Sequence, residues 1–377
     1  MSSSTFVPAF LLIFLVAAVI AAVMTPVAQR LGDRLGWVDR PGGRRKHRGI
    51  ISRLGGMAMY AGFTVGVLAT LLLPQEWFPP RLDPKEWFRL TGLLIGTTAA
   101  FVFGLLDDKF QFPTRPQYIA QFLLSLIAVI FIIFIERIND PLGSGQIVFP
   151  WPVIWGLTIF WFMGMINTVN WLDGLDGLAA GVSAILAAFL IIHMIREGQF
   201  SVALLPVALL GAVLGFLPFN FNPARIFMGS AGSYFLGWAL AALAIIGGAK
   251  VATVLLVMSL PILDVAWLIY DRWRRGDRPG AGGRDHLHYR LLDIGFSQRQ
   301  IVLGYYAFCA TCGVLALGLG SRVFKLVALL VLAAAVLAVL AWVSRQPVRK
   351  DRDDGANDAG TPRATRRMPL TRAEYLI

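Results

Sequence analysis

Eleven apolar stretches, each about as long as a bilayer core is thick, decide what this chain can fold into. They lie at about 6–28, 54–73, 90–106, 118–135, 151–168, 178–195, 201–217, 232–248, 251–270, 301–320 and 324–343. A helix rises about 1.5 Å per residue, so roughly 20 apolar residues cross a hydrocarbon layer about 30 Å deep. No water satisfies the backbone inside that layer, which makes the spanning segments helices. The chain is 57% hydrophobic and 15% charged over 377 residues, too few charges to cover a soluble core of that size. The junctions at Gly247-Gly248 and Gly320-Ser321 are tight, so ten spans also fit the pattern. The expected fold is all-α, a polytopic integral membrane protein of about eleven transmembrane helices. Residues 1–343 form its membrane domain. Residues 344–377 are charged, carry proline and glycine, and read as a disordered tail.

The net charge of +12 has a simple cause in this setting. If the loop 29–53 faces one side and later loops alternate, that side collects 26 of the 34 lysines and arginines. Such a bias marks the cytoplasmic side, which places the N-terminus outside and the C-terminus inside. Basic loops attract anionic lipid and polyanionic substrates. No nucleic-acid motif accompanies them, so no nucleic-acid partner is expected. The first stretch lacks a basic leader and a small-residue cleavage site, and reads as a retained helix. Cys309 and Cys312 lie three apart with no second pair or nearby histidine, which favours helix packing over metal or redox chemistry.

Chemistry is signalled by carboxylates at the ends of these stretches. Asp107 and Asp108 close the run from Leu90 to Leu106, where loss of water is costly unless a cavity or the interface is near. Such a pair can chelate Mg²⁺, or one carboxylate can hold metal while its neighbour acts as base or nucleophile. A plain helix-end cap is the alternative. Asn170, Asp173 and Asp176 are spaced by three, which on a helix keeps them within an arc of about 120°. Gly174 and Gly177 permit close backbone approach or a break there. The segment Arg44-Arg45-Lys46-His47-Arg48, with Arg53-Leu-Gly55-Gly56, suits phosphate binding, charge retention or helix packing. Arg284-Asp285-His286-Leu-His288-Tyr289-Arg290 suits pyrophosphate oxygens, and lacks a third histidine or cysteine for zinc. The 219–233 stretch, which includes Arg225 and Ser230, is a Gly-rich loop that can turn backbone N–H groups toward an anion. All these pieces fall on the side assigned as cytoplasmic. His193 stands alone near the outer end of a span and suggests no chemistry.

Taken in order, the pieces resemble the polyprenyl-phosphate N-acetylhexosamine-1-phosphate transferase superfamily over roughly residues 10–320. The branch they are most similar to is the undecaprenyl-phosphate N-acetylglucosaminyl-1-phosphate transferases. Five motifs carry the likeness. These are Val38-Asp39-Arg-Pro41 with Arg45-Lys46-His47 and Arg53-Leu-Gly55-Gly56; Gly104-Leu-Leu-Asp107-Asp108; Asn167-Thr-Val-Asn170-Trp-Leu-Asp173-Gly-Leu-Asp176-Gly; Pro223-Ala-Arg225-Ile-Phe-Met228-Gly229; and Asp285-His286-Leu-His288-Tyr289-Arg290-Leu with Gly295-Phe-Ser. The resemblance implies transfer of a sugar 1-phosphate, expected to be GlcNAc 1-phosphate, from a UDP-sugar to polyprenyl phosphate with release of UMP. It implies Asp107, Asp108, Asp173, Asp176 and His286 as catalytic residues. Lys46, His47, Arg53, Asn167, Arg225, Arg284, His288 and Arg290 are expected at the substrates. Asn170, Asp107 and Ser230 are expected at Mg²⁺ or Mn²⁺. A bacterial cytoplasmic membrane is the implied setting, with a homodimer compatible with the sequence.

Two departures stand out. Tyr289 occupies a position where many relatives carry a third histidine, and Ser230 one where the family motif usually carries an aspartate that binds metal. A hydroxyl offers a neutral oxygen, so the site loses a negative charge and affinity for Mg²⁺ should fall. Compensation by the remaining carboxylates, a water-mediated contact and an impaired paralogue are the three readings, of which compensation is favoured. Rivals to the whole assignment are the muramoyl-pentapeptide branch, from which the histidine pattern differs, and a secondary transporter. Transporters place their carboxylates near the midplane and often repeat their topology, which this sequence does not.

Overall fold

The computed structural model describes residues 6–40, 49–140, 143, 145–248, 251–276 and 285–344. Its helices are α1 (Val7–Leu35), α2 (Gly55–Leu72), α3 (Pro84–Phe110), α4 (Thr114–Ile130), α5 (Trp151–Leu172), α6 (Leu178–Arg196), α7 (Phe200–Asn220), α8 (Gly229–Ile246), α9 (Val251–Val257), α10 (Ser259–Arg275), α11 (Leu287–Ile294), α12 (Gln298–Gly318) and α13 (Arg322–Ser344). Two short antiparallel hairpins interrupt them, β1 (Val38–Asp39) with β2 (Ile51–Ser52) and β3 (Arg137–Asn139) with β4 (Gln146–Val148). Local sequence fixes several ends. Proline opens α1, and Gly36 closes it in the left-handed conformation at φ 71°. Asp83 caps α3 by accepting from the Lys85 N–H at 2.9 Å. Ser297 and Gln300 form a reciprocal capping box on α12.

Among the described residues, nine helices are long and apolar enough to span a membrane, and α9 with α10, bent by 79°, passes together as a tenth. The fourth stretch, 118–135, becomes α4, a helix of 17 residues followed by irregular chain. It still traverses the bundle, since α3 ends where the polar residues gather and α5 begins at the opposite end. Ten of the eleven stretches thus coincide with candidate spans when α9 and α10 are taken together, and 118–135 is the one that falls short in length.

Packing follows membrane rules. Small residues let backbones approach: Gly62 and Gly66 of α2 lie on Ala17 and Ala21 of α1, and Gly211 and Gly215 of α7 lie on the carbonyls of Phe14 and Ala18. A Cβ at Gly215 would stand 2.2 Å from the Ala18 oxygen, so no larger residue fits there. The outward stripe of α1 is large and apolar, Leu11, Leu15, Val19 and Val23, while its inward stripe is Ala9, Ile13, Ala17 and Ala21. Water would forbid that arrangement, and lipid permits it. At the centre runs α8, buried at every position from Ala231 to Ile246. Its Trp238 N–H donates to the Leu124 carbonyl at 3.1 Å.

Candidate active site

The ends of α3, α5, α7 and α8, the turn before α6 and the start of α12 surround one cleft of about 630 Å³. Asp39, Arg53, Asp108, Asn170, Asp173, Asp176, Asn220, Asn222, Ser230, Tyr289 and Gln298 line it, with Leu175, Phe227 and Leu292 among the apolar walls.

Asp108 is aimed by the helix it faces. Its Oδ1 accepts from the Ser230 N–H at 2.8 Å, and its Oδ2 from the Ala231 N–H at 2.9 Å. These are first-turn amides of α8 with no partner inside the helix, and the positive end of the helix dipole favours the anion. Gly229, at φ 69°, makes the approach possible, because a Cβ there would lie 2.6 Å from Asp108 Oδ2. Asp107 is about 100° round the same helix. It is buried away from the cleft lining and accepts from Gln117 Nε2 at 3.0 Å.

On the facing wall, Asn170 donates to Ser233 Oγ at 2.9 Å, which leaves its carbonyl oxygen for the cleft. The helix α5 then stops at Leu172, so Asp173 and Asp176 stand on a turn and not on the helical face their spacing suggests. The glycines supply the break: Gly177 takes φ 80° and opens α6. Asp176 Oδ2 accepts from Asn222 Nδ2 at 2.9 Å and from the Ala224 N–H at 3.0 Å, tying this turn to the loop before α8. Asn222 also donates to Gln298 Oε1 at 2.9 Å. That loop is pinned from below by Phe227 N–H to the Ser52 carbonyl at 2.9 Å and by the amides of Gly55 and Gly56, each 2.9 Å from the carbonyls of Phe227 and Met228. Arg53 donates to Asp39 Oδ1 at 2.7 Å and brings a fixed positive charge into the cleft wall.

The electrostatics reflect crowded acids. Burial, with Asp108 and Asp176 adding their charges, pushes the Asp173 carboxyl well above its ordinary range, and Arg53 only partly opposes this. Hard oxygens of Asp108, Asp173, Asp176, Asn170 and Ser230 are the available donors for a divalent cation. Among the described residues no three His, Cys, Asp or Glu side chains are grouped tightly enough to hold an ion by themselves.

The histidines stand behind the cleft. His286 Nδ1 lies 3.0 Å from Asp264 Oδ2, its ring parallel to His288 at 5.3 Å and edge-on to Trp171 at 5.5 Å. His288 is fully buried, with neither ring nitrogen hydrogen-bonded among the described residues. Burial, reinforced by His286 and opposed by Asp264, depresses it to about 3, so its ring is neutral. Only Tyr289 of this group reaches the lining.

Residues 90–248 match the family model described as glycosyl transferase family 4. A probable undecaprenyl-phosphate N-acetylglucosaminyl 1-phosphate transferase of Bacillus subtilis (strain 168) is 31% identical over 279 residues, 72% of this chain and 74% of that protein. A decaprenyl-phosphate N-acetylglucosaminephosphotransferase of Mycolicibacterium smegmatis is 30% identical over 357 residues, covering 86% and 85%. An undecaprenyl-phosphate alpha-N-acetylglucosaminyl 1-phosphate transferase of Escherichia coli K12 is 27% identical over 300 residues, covering 75% and 77%. The chain belongs to glycosyl transferase family 4.

Within this family-4 protein, the cleft brings together Arg53, Asp108, Asn170, Asp173, Asp176 and Ser230 of the residues singled out from sequence. It does not bring in the other described candidates, Asp107, Asn167, Arg225, His286, His288 and Arg290. Asn167 exchanges hydrogen bonds with Gln121, its Nδ2 lying 2.6 Å from Gln121 Oε1. Arg225 is exposed. Arg290 donates to the carbonyls of Asp285 and Ser344 at 3.0 and 3.2 Å, clamping α11 to the end of α13. Lys46, His47 and Arg284 lie outside the described residues. Gln298 and Asp264 were missed. Nothing local distinguishes Gln298, whereas Asp264 is a carboxylate inside an apolar stretch, the same anomaly that exposed Asp107 and Asp108.

Proposed function

We propose that this family-4 enzyme transfers GlcNAc 1-phosphate from UDP-GlcNAc to polyprenyl phosphate, releasing UMP and leaving a lipid-linked pyrophosphate sugar. The observation that carries the reading is one cleft, at one end of a spanning bundle, that holds four carboxylates, three asparagines and an arginine from chain segments far apart in sequence. A polyanionic sugar nucleotide entering from the aqueous side and a lipid phosphate arriving from the bilayer meet at such a place. The curated relatives are named for this transfer with undecaprenyl or decaprenyl phosphate. The bias of basic residues supports a cytoplasmic opening in a bacterial inner membrane.

The donor set fits Mg²⁺, a hard cation that takes one or two carboxylates, keeps several waters and shares substrate phosphate oxygens, so a ready-made three-acid cage is not required. Asp173 and Asp108, with the free oxygens of Asn170 and Ser230, are the residues that would hold it. When bound, it neutralises charge on the pyrophosphate. The chain's own groups do the rest. Arg53, fixed by Asp39, counters phosphate charge at the cleft wall. Asp176 and Asn222 hold the shape of the nucleotide-facing turn. Asp108, held by two amides, would serve as base toward the attacking lipid phosphate or as a ligand to the cation. A lipid-phosphate oxygen forms the new bond to the sugar-bearing phosphorus as the bond to the UMP oxygen breaks.

Purified protein supplied with UDP-GlcNAc, undecaprenyl phosphate and Mg²⁺ should release UMP in proportion to lipid-linked sugar. Absence of release, with release from another UDP-sugar in a panel including UDP-MurNAc-pentapeptide, would replace the sugar assignment. Absence with every donor would reject the reaction.

A further inference from the structure

Asp264 sits in α10, 5% exposed, in the apolar run Leu260-Pro-Ile-Leu-Asp264-Val. It does not line the cleft. Both its oxygens are committed to the start of α11: Oδ1 accepts from the Leu287 N–H at 2.9 Å, and Oδ2 lies 3.0 Å from His286 Nδ1. A carboxylate is tolerated in such surroundings only when groups like these satisfy it. The helix it anchors supplies Tyr289 and Leu292 to the cleft lining. It also presses His288 on the acidic turn, since a Cβ at Gly174 would stand 2.4 Å from His288 Nε2. One buried acid therefore sets where this wall of the cleft begins.

We propose that Asp264 is a positioning residue that fixes the orientation of His286 and holds it in the Nδ1–H tautomer, leaving Nε2 as the ring's one acceptor. An ionised carboxylate only accepts hydrogen bonds, so the nitrogen facing it carries the proton. The ring is bracketed by Trp171 and His288. Its Nε2 bonds to no other described residue, and it is not among the buried atoms left without a partner. A carboxylate partner of this kind fixes the tautomer and the ring orientation of the histidine it holds. The kinetic consequence rests on the transferase reading; the tautomer does not.

The full-length protein in lipid nanodiscs, with ring-¹⁵N histidine, resolves at most four histidines, because the chain has four. His286→Gln assigns the signal of interest. Wild type should show Nδ1–H. In Asp264→Asn the amide oxygen keeps the Leu287 N–H, its NH₂ turns to Nδ1, and the ring should convert to Nε2–H. The kcat for UMP release should fall about 10- to 100-fold. Adding Asp264→Asn to His286→Gln should cost nothing more, whereas a merely structural acid would lower activity in both backgrounds. A wild-type ring protonated at Nε2, alone or together with Nδ1, overturns the proposal even if Asp264→Asn fails to fold. An undiminished second loss in the double variant also overturns it. Wild-type protein with no UMP release but the Nδ1–H ring would reject the transferase reading and leave the role of Asp264 standing.

Discussion

Asp107 and Asp108 are neighbours in the chain that face different partners. Successive residues on a helix are turned by about 100°, so one carboxylate faces Gln117 while the other meets the amides of α8. The two should therefore behave differently when neutralised. Asp108→Asn places an NH₂ against N–H donors and removes charge from the cleft, so UMP release should drop at least about 100-fold. Asp107→Asn keeps an acceptor for Gln117 and should retain a larger fraction of activity, measured in the same assay. Ser230→Asp adds a carboxylate beside Asp108, which should lower the Mg²⁺ concentration needed for half-maximal turnover, read from a metal titration after chelation with EDTA. A sequence reader sees the doublet as one unit. Helical phase separates it, and that phase depends on how α3 seats against α8.

Among the glycines at which elements meet, Gly56 and Gly174 differ in consequence. At Gly56, a Cβ would stand 2.2 Å from the Gly232 nitrogen, backbone against backbone. Gly56→Ala should therefore push α2 from α8 and cost about 1–3 kcal/mol, seen as a lower thermal midpoint in detergent. At Gly174 the obstacles are the His288 ring and the Tyr289 hydroxyl at the cleft wall, so Gly174→Ala should displace that wall and lower kcat by more than it lowers stability. The glycines were visible in the sequence, and helix packing was one reading of Gly55-Gly56. What each glycine touches was hidden, because the contacts join segments more than a hundred residues apart. The same reason hid the turn at Asp173: a spacing of three reads as helix until Gly174 and Gly177 break it.

At the scale of the molecule, the eleven stretches were legible because hydrocarbon imposes a length on every segment. The bend at α9–α10 and the shortness of α4 escaped, so nine helices, or ten with the bent pair, meet the spanning criterion among the described residues where eleven were expected. Orientation is open to direct test. Cysteine placed at Ser297, beside the cleft, should react with a membrane-impermeant maleimide only after cells are permeabilised, whereas cysteine at Gly198, at the other end, should react in intact cells. Native Cys309 and Cys312 are buried and should stay silent.

The lining runs from Asp39 to Gln298 along the chain. During synthesis the carboxylate-bearing turn is therefore inserted long before the segment that completes the enclosure. A nascent polypeptide, or one cut short by a premature stop ahead of α12, exposes acids without the surroundings that give them work. Closure of the acidic cleft therefore waits on Gln298, the first residue of α12.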